Sequence, residues 1–239
     1  MKTTLLAAGF AVLSMPAVAA SITVSDFNAG AYDAIVSGYE NAVVEDFEGF
    51  AEGNVANGFA TSVGYFSTLG GTGSGGTVTG ADFTNDGSQL AVRDGNVYGR
   101  VSTTSALSGD RSDDMFLDSN DTYGISWMVS LGGSLFDSLV LTLTDATDVG
   151  AIMRITVGED TYTFSGLGNG AQKIVQIDFD QAIDTASIFF GNWNRSGSPR
   201  LNDGFSLDDI AVSEVPLPAS ALLLLGGLAG LAGMRRKKS

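Results

Sequence analysis

A chain of 239 residues with a formal net charge of −15 and with neither cysteine nor histidine cannot assemble a Ser-His-Asp triad, a Cys-His pair, a Cys/His zinc site or a disulfide framework. All 27 acidic residues lie between positions 21 and 214, against 7 of the 12 cations, so this segment carries −20. Such a surface repels phosphate backbones, which argues against nucleic acid as a partner, and suits hard divalent cations.

The first twenty residues, MKTTLLAAGFAVLSMPAVAA, put Lys2 ahead of an apolar run from Leu5 to Met15 and close on Ala17-Val18-Ala19. This order of charged, apolar and small residues predicts an N-terminal signal peptide over 1–20, removed after Ala19 or Ala20 during export. The run is too short to span a bilayer. Residues 21–214 follow as one domain, long enough to bury about 70% of the surface of the unfolded chain.

Within that domain, residues 21–40 read as a first strand or a loose arm. Short strand-like runs then follow, separated by Gly, Asn, Asp and Ser: VVEDFEGF (43–50), SVGYFSTL (62–69), QLAVRD (89–94), VYGRVST (97–103) and YGISWMVSL (123–131). In LVLTLT, Leu139, Leu141 and Leu143 share one face. In MRITV, Met153, Ile155 and Val157 alternate with Arg154 and Thr156; Gly158-Glu159-Asp160 and TYTF complete a hairpin pattern. IVQIDFD (174–180), ASIFFGNW (186–193) and FSLDDIAVSE (205–214) close the series. No segment of the domain sustains a helical apolar period over three turns, and no repeat of fixed period suggests a parallel β-helix. The expected fold is all-β: an antiparallel β-sandwich of the jelly-roll kind.

Few motifs carry chemistry. Gly71, Gly73 and Gly76 match G-x-G-x-x-G, but no helical pattern follows to hold a pyrophosphate, and a surface loop is expected. Asp46 and Glu48 near the start of the domain share a strand face, while Asp208 and Asp209 stand near its end. First and last strands of a jelly roll often lie side by side, so these four carboxylates form a candidate structural calcium site clamping the two ends. The alternative is an acidic strand edge that discourages pairing with other chains. DRSDD (110–114) and DSND (118–121) lack EF-hand spacing and read as a solvated acidic loop. Trp127 falls on the face of Ile125 and Val129 and reads as core. Trp193, beside Asn192, Asn194 and Arg195, is a candidate carbohydrate-binding residue; the alternative is an aromatic packed under a loop. With so many acids a carboxylate-based glycosidase or lyase could be built, yet no acid has the aromatic and polar flanks of a catalytic pair. The expectation is a non-catalytic protein.

The C-terminus reads VPLPASALLLLGGLAGLAGMRRKKS. Ala219 to Met234 is uncharged and, as a helix, reaches about 24 Å, a marginal transmembrane span. Arg235, Arg236, Lys237 and Lys238 follow at once and would stay cytoplasmic, leaving the acidic domain outside. Pro216 and Pro218 keep the approach to the helix extended. Val215-Pro216-Leu217-Pro218-Ala219, an apolar span and a basic end together resemble the VPLPA variant of the PEP-CTERM sorting signal, over 215–239. The resemblance implies that a membrane-embedded, exosortase-type enzyme recognises the tail and cuts near the motif. It also implies delivery to the cell surface or extracellular matrix, often alongside exopolysaccharide. The domain likewise resembles the β-sandwich ectodomains of that family. The expected role is therefore structural or adhesive, with an exopolysaccharide-binding module as the alternative.

Overall fold

The computed structural model describes residues 18–70, 89–102, 115–120, 122–148, 150–194, 197 and 203–216. These residues are all-β apart from one helix. In chain order they form β1 (Ala20–Asp26), α1 (Ala29–Ser37), β2 (Ala42–Glu45), β3 (Gly53–Val55), β4 (Phe59–Thr61), β5 (Gly64–Thr68), β6 (Leu90–Arg93) and β7 (Phe116–Asp118). Then come β8 (Gly124–Ser130), β9 (Leu135–Thr144), β10 (Ile152–Val157), β11 (Asp160–Ser165), β12 (Gln172–Ile183), β13 (Thr185–Trp193) and β14 (Ser206–Val215). Residues 1–17 of the expected signal peptide, the glycine-rich stretch with Gly71, Gly73 and Gly76, the acidic run 110–114 and residues 217–239 of the tail lie outside the described residues.

The strands pair antiparallel in two sheets. One has eight strands in the order β1-β12-β9-β14-β7-β6-β3, with β2 also on β14; the other has six, β11-β10-β13-β8-β5-β4. The period-2 pattern explains which residues turn inward. Leu139, Leu141, Val175, Ile177 and Leu207 of the larger sheet and Phe66, Trp127, Met153, Ile155 and Phe190 of the smaller belong to a single buried cluster. Trp127 stacks on Phe66 with ring centroids 5.4 Å apart, and its Nε1 donates to the Val63 carbonyl at 3.2 Å. Both ends of that indole are thereby satisfied in the core.

Beyond the expected strand, residues 21–40 contain a helix. Asn28 caps it, its Oδ1 accepting from the Ala31 amide at 3.0 Å. Nine residues are too few for the period to show over three turns, so the helix depends on packing. Its Tyr32 and Val36 meet Val140, Ile174 and Ala211 on the outward face of the larger sheet. That face is therefore partly covered, while the outward face of the smaller sheet carries no helix among the described residues.

Strand β14 changes partner midway. One edge follows β9 along its length; the other pairs Ser206 and Leu207 with β7, then Ile210 to Ser213 with β2. The change falls at a bulge between Asp208 and Ala211, where Asp209 has φ of 47°. Two carbonyls at the bulge are met by hydroxyls: Thr142 Oγ1 donates to Asp208 O at 3.0 Å, and the buried Tyr32 hydroxyl donates to Asp209 O. Burial raises the ionisation of Tyr32 well above its ordinary value, with Asp209 and Asp208 adding to the rise, so the group remains a donor. Removing that donor by Tyr32→Phe leaves a buried carbonyl unmatched and is expected to lower unfolding free energy by about 1–2 kcal/mol. Chemical denaturation checks this; an unchanged midpoint contradicts it.

Candidate functional site

Three adjacent strands of the smaller sheet each carry a pair of large neighbours: Tyr65-Phe66 in β5, Trp127-Met128 in β8 and Phe189-Phe190 in β13. Consecutive strand residues face opposite ways, so one of each pair must leave the core. Phe66, Trp127 and Phe190 are buried; Tyr65, Met128 and Phe189 are 50%, 51% and 38% exposed. The registers place these three close together. Tyr65 is opposite Met128, Met128 is opposite Ser187, and Phe189 stands two residues further along β13. Phe189 shares its cross-strand row with Thr156, Ser126 and Ser67.

The next row brings Arg154 opposite Gly191, and Gly191 opposite Gly124. Glycine is required at 124, where φ is 140° and a Cβ would fall 2.0 Å from the Phe190 carbonyl oxygen. At Gly191 a Cβ would lie 3.1 Å from Nε1 of Trp193, so the missing side chain makes room for the indole to lie along its own strand. The Arg154 guanidinium stands 4.2 Å from the centre of that ring. Its Nε is buried and has no hydrogen-bond partner. Trp193 is thus half-buried on an outward face, and the arginine against it is Arg154 of the neighbouring strand. Its neighbour Asn192 turns inward, is buried, and donates through Nδ2 to the Asp203 carbonyl. Arg154 is the single charged side chain among the described outward residues of β4, β5, β8, β10, β11 and β13.

The four acids read as a calcium clamp are placed differently from expectation. Strands β2 and β14 do lie side by side, with Glu45 opposite Ile210. However, β2 ends at Glu45, so Asp46 and Glu48 sit in a turn and do not share a strand face. Asp46 Oδ1 accepts from the Glu48 amide at 3.2 Å, and Glu48 Oε1 accepts from the Met115 amide at 2.7 Å. Asp208 and Asp209 are both buried at the bulge. Asp208 accepts from Ser102 Oγ at 2.8 Å and from the Asp209 amide at 2.7 Å. Among the described residues no three acidic side chains converge as metal ligands would.

A buried polar network lies where the sequence suggests a solvated loop. Asp118, the last residue of β7, takes Arg93 Nε at 2.7 Å, with Arg100 Nε 3.2 Å from its other oxygen. That second oxygen also accepts from the Asn120 amide at 2.7 Å, and Asn120 Nδ2 donates to the Gln89 carbonyl at 2.9 Å. Arg100 reaches the site because Val97–Arg100 is a tight turn and not the strand its composition suggests. Gly99, with φ of 103°, packs where a Cβ would strike Asn169 and Asp145. Asp145 is buried beside the network, its Oδ1 accepting from the Gly170 amide at 2.7 Å. Burial pushes its carboxyl up to about 6, against the lowering effect of that bond. Removing one partner of such a buried pair leaves an uncompensated charge, so the members depend on one another.

At the far end of the larger sheet, Val215, the first residue of the five-residue motif, closes β14 opposite Leu135; Pro216 is exposed. Leu217, Pro218, Ala219 and the cations Arg235, Arg236, Lys237 and Lys238 lie outside the described residues. Among the described residues no helix is long and apolar enough to cross a membrane. A cavity of about 370 Å³ opens beside this exit, lined by Tyr39, Asp137, Asp178, Glu214 and Pro216 among others. The Tyr39 hydroxyl is buried without a partner, and burial, then Asp178 and Asp137, raise its ionisation.

The sequence matches no protein-family model and none of the curated proteins.

The raised Asp145 carboxyl gives a signed pH dependence. The folded state holds this proton more tightly than the unfolded chain, so its stabilising contribution is complete below pH 3.8 and is lost as pH rises through about 6. Asp145→Asn keeps an oxygen for Gly170 and removes the titration. Relative to the native protein the variant is expected to gain up to about 2–3 kcal/mol between pH 4 and pH 7. Parallel melting curves across that range check it; a constant difference contradicts it.

Proposed function

We propose that this chain is an exported protein of the cell surface or extracellular matrix. Its domain is a jelly-roll-like β-sandwich with a structural or adhesive, non-catalytic role. Its last 25 residues are a sorting signal for an exosortase-type enzyme, holding it in the membrane until they are cut. One observation carries the reading: β14 stays paired up to Val215, and Pro216 is already exposed. The last described strand therefore reaches the first residue of the five-residue motif, with no described linker between them. A processing enzyme needs an extended peptide, and the prolines at 216 and 218 disfavour helix in the residues ahead of them.

The N-terminal end is consistent with export. The backbone nitrogen of Ala20 lies 2.8 Å from Asp160 Oδ2. Cleavage after Ala19 would turn that nitrogen into an ammonium group and the contact into a charge-assisted hydrogen bond. Either cut costs contacts at the start of β1: after Ala19 it removes the carbonyl that accepts from the Asp180 amide at 3.2 Å, and after Ala20 also the residue that pairs with Phe179.

A second reading is that the domain binds carbohydrate. It is favoured by the placement of Trp193 on a sheet face that carries no helix among the described residues, beside Arg154 and on the same face as exposed Tyr65 and Phe189.

Intact-mass spectrometry of protein recovered from outside the producing cell tests the primary reading. The expected species starts at Ala20 and lacks the apolar span and Arg235 to Lys238. A retained basic end would make the tail an ordinary anchor and overturn the sorting assignment.

A further inference from the structure

We propose that the outward face of the six-stranded sheet is a binding platform for an uncharged polysaccharide chain, with Tyr65, Met128 and Phe189 as its apolar floor and the Arg154–Trp193 pair as its polar end. The proposal deepens the carbohydrate-binding reading by naming the site and the class of glycan, and it rests on that reading.

The face has the two-sided chemistry of a sugar ring. A pyranose presents a face of C–H groups and a rim of hydroxyls. Exposed Tyr65 and Phe189 offer flat apolar area at fixed positions, because their strands are held by ladders on both sides. Hydroxyls of Thr156, Ser126 and Ser67 flank Phe189 in its own row. Arg154 adds N–H donors, and the buried donor at its Nε has no acceptor in the protein.

Spacing sets the size of the ligand. Tyr65 and Phe189 lie two strands and one register step apart, about 12 Å. The Trp193 indole lies back over Gly191, two residues beyond Phe189, about 7 Å. The path is about 19 Å long by the same strand spacings, which suits an extended polymer of several residues better than a single sugar.

Charge selects among occupants. The chain carries −15, yet the outward residues described on this face include no acid and one cation, Arg154. A polyanion would be repelled by the rest of the surface with a single arginine to offset it. A second copy would bring another −15 against the first, and Ser and Thr positions interrupt the apolar area that a dimer would bury. An uncharged, hydroxyl-rich chain meets neither obstacle. Its recognition would be insensitive to salt, since no ion pair forms.

The test is native affinity electrophoresis of the full chain, in mild neutral detergent, through gels containing a soluble β-glucan, a mannan, a galactan or, as the anionic comparison, alginate. At least one uncharged polymer is expected to retard the protein, with no loss on adding salt. The double variant Tyr65→Ala/Phe189→Ala should weaken that retardation by about tenfold or more, as expected for two lost aromatic contacts. Its circular dichroism and melting midpoint should match the native protein, since both side chains are exposed. Retardation by none of the uncharged polymers, retardation by alginate alone, or retardation that survives in the double variant would each overturn the proposal. So would a concentration-dependent dimer abolished by the same double variant, which would make the face a self-association surface. The mass of the mature protein is unaffected by any of these outcomes, so failure here is separable from failure of the sorting assignment.

Discussion

The bulge in β14 is the constraint on which the larger sheet depends. The extra residue at Asp208–Asp209 falls where the strand, paired with β9 on one side, changes from β7 to β2 on the other. The bulge displaces two carbonyls from the ladder, and a buried carbonyl without a donor costs about 1–3 kcal/mol. Thr142 and Tyr32 supply the donors. Tyr32 stands on α1, so the helix is placed as much by this hydrogen bond as by its contacts with Val140, Ile174 and Ala211. Two elements at opposite ends of the chain are thus joined through one backbone irregularity.

That arrangement divides the surface. The larger sheet is partly covered by α1 and gives up the chain at Val215, beside a cavity lined by carboxylates. The smaller sheet has no helix over its outer face among the described residues, and large side chains stand outward there at Tyr65, Met128 and Phe189. An apolar side chain exposed on a strand gains nothing from burial and favours pairing with other molecules, so three on neighbouring strands call for a function.

Much of this was legible in the sequence wherever the cause is local. The alternation in MRITV and TYTF specified β10, β11 and their hairpin, and the neighbours of Trp127 specified its burial. The pairs Tyr65-Phe66, Trp127-Met128 and Phe189-Phe190 could have marked the open face, because two adjacent large residues in a strand cannot both enter one core. Trp193 alone drew attention as a sugar contact, and its covering by Arg154 depends on cross-strand register, which the sequence does not display. Contacts between distant positions were hidden in the same way. Asp118 looks like one more acid in a polar run, and only folding brings Arg93 and Arg100 to it. Asp46 and Glu48 were assigned to a strand because VVEDFEGF alternates; Phe47, with φ of 61°, turns the chain there and ends the strand. Helix α1 leaves no periodic signal, because nine residues are too few to establish a period.

The central claim is that the folded domain is complete at the start of the tail motif and depends on β14 up to that point. Thermal unfolding of two shortened chains tests it most directly, one ending at Pro216 and the other at Asp209. The account predicts that the first melts in a single cooperative step, as a finished domain does, and that the second shows no such transition because β2 loses its partner and half of β9 loses one of its two neighbours. A cooperative transition in both, or in neither, would contradict it.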